Sequence, residues 1–76
     1  MIKMRILIDS VDKVKSFVNI TGKTDYDIDI VSGRYVIDGK SIMGIFSLNL
    51  SEPMDIIIHG DNISEDIIAE LKQFEV

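Results

Sequence analysis

Tyr26-Asp27-Ile28-Asp29-Ile30-Val31-Ser32-Gly33-Arg34-Tyr35-Val36-Ile37 is the stretch that decides the fold. Tyr26, Ile28 and Ile30 alternate with Asp25, Asp27 and Asp29. A period of two puts the apolar residues on one face of a strand and the carboxylates on the other. Ser32-Gly33 separates this strand from the apolar run Arg34-Tyr35-Val36-Ile37. That break predicts a tight hairpin with Gly33 at positive φ. An antiparallel sheet with one polar face is therefore the centre of the domain.

The flanking segments extend it. Ile2, Met4, Ile6 and Ile8 alternate with Lys3, Arg5 and Leu7, which predicts a first strand. Asp9-Ser10-Val11-Asp12 breaks the alternation with residues suited to a helix start. Val11, Val14, Phe17 and Val18 then recur at helical spacing, and Gly22 marks a stop. Ser41 to Leu48 is apolar at Ile42, Ile45, Phe46 and Leu48, which suits a two-turn helix. Glu52-Pro53 marks a turn, and Asp55-Ile56-Ile57-Ile58-His59 a strand ended by Gly60. A last helix, capped at Asn62 or Ser64, carries Ile67, Ile68, Leu71 and Phe74 on its buried stripe. The order strand, helix, strand, strand, short helix, strand, helix predicts an α+β domain spanning 1-76. Its four-stranded sheet is covered on one face, because each helix has one apolar stripe to bury.

Composition narrows the function classes. The chain has 76 residues, 46% of them hydrophobic, enough to close one core without a disulfide; it contains no cysteine. Eight Lys and Arg against thirteen Asp and Glu give a net charge of −5, with no basic face for nucleic acid. No apolar run approaches the ~20 residues a bilayer span needs. No cleavable signal pattern opens the chain. These features predict a cytoplasmic protein with no membrane insertion.

Gly39-Lys40-Ser41-Ile42-Met43-Gly44-Ile45-Phe46-Ser47-Leu48 resembles the regulatory-serine segment of HPr, the small phosphocarrier of the bacterial phosphoenolpyruvate:sugar phosphotransferase system. From about Val14 to about Leu71 the two patterns can be laid together without a gap. The resemblance implies an HPr-like open-faced β-sandwich, with an antiparallel sheet under two helices and one short helix. It also implies that Ser41 is a phosphorylation site, and that Lys40, Ile42, Met43 and Phe46 belong to a surface where HPr kinase or a partner transcription regulator docks. The residues by themselves also allow Ser41 to be an ordinary helix N-cap.

The resemblance fails where the family carries its chemistry. HPr proteins have a histidine, an arginine two residues on and a proline before the first helix. Here Ser10 takes the histidine's place and Asp12 the arginine's. The last helix also stops earlier than is usual in that family. A neutral imidazole forms a phospho-form that passes its group on. A serine phosphoester is far less reactive, and Asp12 repels a phosphate where arginine would bind it. No catalytic residue is therefore expected. At the start of a helix, a phosphate on Ser41 meets free N–H groups and the positive end of the dipole, worth ~0.3–1 kcal/mol when exposed.

The only histidine, His59, falls at a strand end opposite Ile56 and Ile58, with no arginine or helix start beside it in sequence. Asp25, Asp27 and Asp29 share one face, but alternate strand positions stand about 7 Å apart, too far to share one ion. No metal or cofactor is expected. The chain is thus expected to be a regulatory or protein-binding HPr-like module acting through Ser41. The alternatives are a phosphocarrier with a non-standard site, or a purely structural partner-binding domain. A small domain with an uncovered sheet edge can self-associate, but nothing in the sequence selects for it.

Overall fold

The computed structural model describes all residues, Met1–Val76. Its elements are β1 (Ile2–Ile6), α1 (Val11–Thr21), β2 (Asp27–Ser32), β3 (Tyr35–Asp38), α2 (Ile42–Phe46), β4 (Met54–His59) and α3 (Glu65–Leu71), with a final 3₁₀ turn at Lys72–Phe74. The four strands form one sheet in the order β1-β4-β2-β3, and every neighbouring pair is antiparallel. β1 and β2 run parallel to each other on either side of β4, so β1-α1-β2 is a split β-α-β unit. No helix is long and apolar enough to cross a membrane.

β4 is central because it is the most continuously apolar strand. Met54, Ile56 and Ile58 face the helices and are buried, while Ile57 is half-buried on the other side. The core is one cluster of fourteen apolar side chains. Met4, Ile6, Ile8, Ile28 and Ile30 join β4 from the sheet side; Val14, Phe17, Ile20, Ile45, Leu71 and Phe74 come from the helical layer. Phe17 and Phe74 meet edge to face with ring centroids 5.9 Å apart, an arrangement that adds to their area burial. Every buried side-chain polar atom has a hydrogen-bond partner.

The structure corrects the sequence reading at four points. β1 stops at Ile6, two residues short of the alternation. Its partner β4 begins at Met54, opposite Ile6, so the ladder ends there; Leu7 N–H donates to Phe74 C=O at 2.9 Å on the outer edge, and Ile8 remains buried. The buried stripe of α1 is Val14, Phe17, Ile20 and Thr21. Val11 is exposed and Val18 half-buried, since both flank that stripe at 100° per residue. Asp25 precedes β2 and does not share its face. The last helix is not capped by a side chain: Ser64 holds the cap position without a side-chain bond, and Asn62 stands outside it. Instead the Tyr26 hydroxyl donates to Asn62 C=O and accepts from Ser64 N–H, both at 2.9 Å, pinning the start of α3 to the sheet.

Candidate functional site

Ser41 lies at the start of α2 in extended conformation, φ −96° and ψ 103°, and its hydroxyl accepts from Gly44 N–H at 3.2 Å. The helix is short because Asn49, Ser51 and Pro53 follow it closely, and Ser47 ends it. Ile45 is fully buried and fixes α2 on the core. Gly44 lies against Ile37 of β3: a Cβ at this position would come within 2.8 Å of Ile37 Cγ2. That contact lets the helix sit directly on the sheet.

The approach to Ser41 is held by four hydrogen bonds. Gly39 N–H donates to Ile28 C=O at 2.7 Å, and Thr21 Oγ1 donates to Gly39 C=O at 2.9 Å. Lys40 N–H donates to Asp38 Oδ1 at 2.9 Å, closing the turn after β3. The Lys40 ammonium donates to Thr24 C=O at 2.8 Å, so it points back towards the end of α1 and not at the Ser41 hydroxyl.

The apolar residues of α2 divide. Ile42 is half-buried against the core, whereas Met43 is 78% exposed and Phe46 39% exposed. Met43 is thus the most exposed member of the expected docking surface, and its flexible thioether chain adapts well to partners. A wholly buried Ile42 and Met43 would have removed that surface.

At the start of α1 the hydroxyl of Ser10 accepts from Lys13 N–H at 3.1 Å, an ordinary N-cap. Asp9 Oδ1 accepts from the Lys13 ammonium at 3.0 Å, and this neighbour holds the Asp9 carboxyl below the usual carboxylate range. Asp12 sits in the first turn. The helix start therefore holds two carboxylates and a hydroxyl, and its one cation is already paired.

His59 is elsewhere, on the open face of the sheet near the end of β4. Its side chain is 38% exposed, and Nε2 lies 2.9 Å from Asp29 Oδ2 on β2. Asp27 is directly opposite His59 in the register, so Asp29 reaches it diagonally. Asp27, Asp29, Asp38 and His59 line a shallow concavity on this face. No group of His, Asp or Glu side chains in the fold is arranged to hold a metal ion.

The sequence did not disclose two features of this site. One is the His59–Asp29 pair, which needs the β2–β4 register. The other is the anchoring of Gly39 and Lys40 by Thr21 and Thr24. Two threonines at the end of an otherwise apolar helical stripe were the available signal.

No family model matches the chain, and no curated protein does. Solved structures do. The chain is similar to HPr-C-His from Thermoanaerobacter tengcongensis at 26% identity and TM-score 0.78, over 96% of this chain and 89% of that one. It is also similar in fold to a phosphocarrier protein HPr from Bacillus anthracis str. Ames, at 21% identity and TM-score 0.74, over 97% of this chain and 96% of that one. The four-stranded open sheet, the helices on one face and these likenesses together give the chain an HPr-like α+β fold.

Proposed function

We propose that this chain is a regulatory or protein-binding relative of HPr in the sugar phosphotransferase system, that it works in the cytoplasm, and that it acts through the Ser41 segment without passing on a phosphoryl group from histidine. The observation that carries this reading is the division of α2. Ser41 opens the helix, Ile45 secures it, and Met43 and Phe46 are exposed on the same short helix. A surface apolar side chain next to a modifiable hydroxyl suits a protein partner whose docking changes when charge is added.

The start of α1 supports the other half of the reading. A phosphoryl group there would meet Asp9 and Asp12, and Lys13, the cation in the first turn, is paired with Asp9. The Lys40 ammonium contributes by anchoring the segment, and must leave Thr24 C=O to meet a phosphate on Ser41. Ile42 shapes the base of the patch. HPr kinase, or a transcription regulator that binds the modified form, is the partner this surface fits.

The test is incubation with ATP and HPr kinase. An acid-stable phosphate on Ser41, absent from Ser41→Ala, is the expected result. Failure of the kinase to label the chain, with an HPr control labelled in parallel, contradicts the Ser41 assignment.

A further inference from the structure

The two edges of the sheet are treated differently. The β1 edge is closed by the chain's own C-terminus: Leu7 N–H donates to Phe74 C=O at 2.9 Å, Val76 N–H donates to Arg5 C=O at 3.1 Å, and Ile6 bridges to Glu75. The β3 edge is covered only at its end, where Asp38 C=O accepts from Ser41 N–H at 3.0 Å and Asp38 Oδ1 from Lys40 N–H at 2.9 Å; beside Val36 no strand pairs with it. In the two-residue hairpin, Ser32 pairs with Tyr35 across Gly33-Arg34, with Gly33 at φ 60°. The closing pair of such a hairpin exchanges its hydrogen bonds, so Tyr35 and Ile37 turn their peptide groups towards β2. Val36 turns its N–H and C=O outward, to the free edge.

The sequence along that edge is self-complementary. Laid antiparallel to a copy of itself about Val36, Arg34-Tyr35-Val36-Ile37-Asp38 brings Arg34 opposite Asp38, Tyr35 opposite Ile37 and Val36 opposite Val36. The parity also agrees within the strand, since directly opposed residues share a face and Val36 and Asp38 alternate with Tyr35 and Ile37; Arg34, the second residue of the turn, follows on the side of Asp38 of the copy. Arg34 makes no ion pair within the chain, while Lys3, Arg5, Lys13 and Lys23 all do. Tyr35 is 67% and Val36 63% exposed. Val31 lies beside Val36 on β2, so the two-fold joins Val31-Val36 to its own copy in one apolar row on the open face.

We infer that β3 is a self-association edge: two copies of this chain pair antiparallel through Arg34–Asp38, with Val36 on the two-fold axis, into one continuous eight-stranded sheet. The contact is one short strand per copy, so the dimer is weak and belongs to the small-interface class.

The chain lacks cysteine, which gives a direct test. Residues facing each other across a hydrogen-bonded antiparallel pair have Cα atoms about 5.5 Å apart, within disulfide reach. Under copper-phenanthroline oxidation, full-length Val36→Cys is expected to form a covalent dimer at least tenfold faster than Tyr35→Cys, whose copies are out of register. By sedimentation velocity from about 10 µM to about 1 mM, the unmodified chain is expected to dimerise and Val36→Lys to remain monomeric. Mixing Arg34→Asp with Asp38→Arg is expected to restore association that each variant alone has lost. Circular dichroism of each variant establishes that it is folded. A monomer throughout the range overturns the inference. A dimer unaffected by Val36→Lys, or equal cross-linking at Tyr35 and Val36, overturns it as well.

Discussion

Thr21 Oγ1 donates a 2.9 Å hydrogen bond to the carbonyl of Gly39, joining the end of α1 to the segment that presents Ser41. Thr21 is fully buried, so the bond is shielded from water. Thr21→Val keeps the shape and leaves the Gly39 carbonyl without this donor. The expected cost is roughly 1–3 kcal/mol. For a domain of this size each kcal/mol lowers Tm by roughly 4–8 °C. Thr21→Ser, which retains the hydroxyl, should lose less. Thermal unfolding of the two variants checks the ordering; equal losses would assign the effect to packing and not to the bond.

Ile45 and Met43 separate stability from binding on one short helix. Ile45 is fully buried, and Ile45→Ala should cost about 2–5 kcal/mol by transfer and cavity terms. Met43 is 78% exposed, and Met43→Asp should change stability by no more than about 0.5 kcal/mol. The same Met43→Asp change should weaken complex formation at the Ser41 surface at least tenfold. Chemical denaturation and titration calorimetry with the partner check the pair. A Met43 variant that unfolds would place this residue in the core instead.

The Asp9–Lys13 pair makes a pH prediction with a definite sign. The Lys13 ammonium, by its hydrogen bond first and its charge second, lowers the Asp9 pKa in the folded state. A depressed folded pKa contributes stability that is fully present above the unfolded value, about 4 for Asp, and is lost as pH falls through the folded value. A carboxyl-carbon NMR titration should therefore give Asp9 a lower midpoint in the unmodified chain than in Lys13→Met. An unchanged midpoint in Lys13→Met would show that the pair does not persist in solution.

Much of the fold was legible in the residues themselves. The Tyr26–Ile37 hairpin was evident because apolar and acidic residues alternate from Asp25 to Ile30, an apolar run follows Ser32-Gly33, and Gly33 does take positive φ. The seven-element order followed from equally local periodicities. What escaped was set by contacts distant in sequence. β1 ends at Ile6 because its partner β4, distant in sequence, begins only at Met54. The start of α3 is held by Tyr26, not by a nearby cap. Ser41 was recognisable as an N-cap from its neighbours, and Met43 as an exposed member only once Ile45 and Gly44 fixed which side of α2 meets the sheet. His59 could be placed on the open face by alternation, but its partner Asp29 depended on strand register.

The His59–Asp29 contact bears on whether His59 is a relocated carrier. The imidazole lies on the open sheet face, with its Nε2 at Asp29 and Asp27 directly opposite. A phosphoryl group on Nε2 would have to displace one carboxylate and sit beside another. His59→Gln should therefore leave every phosphorylation property of the chain unchanged, as a mass-spectrometric comparison of the treated proteins would show.

The central claim is the loss of histidine carrier chemistry on a retained HPr-like fold. It is tested most directly by incubating the chain with phosphoenolpyruvate and Enzyme I, beside an HPr control, and measuring acid-labile phosphate. The account predicts label on the control and none on this chain. An acid-labile phosphate on this chain that disappears in His59→Gln would contradict it.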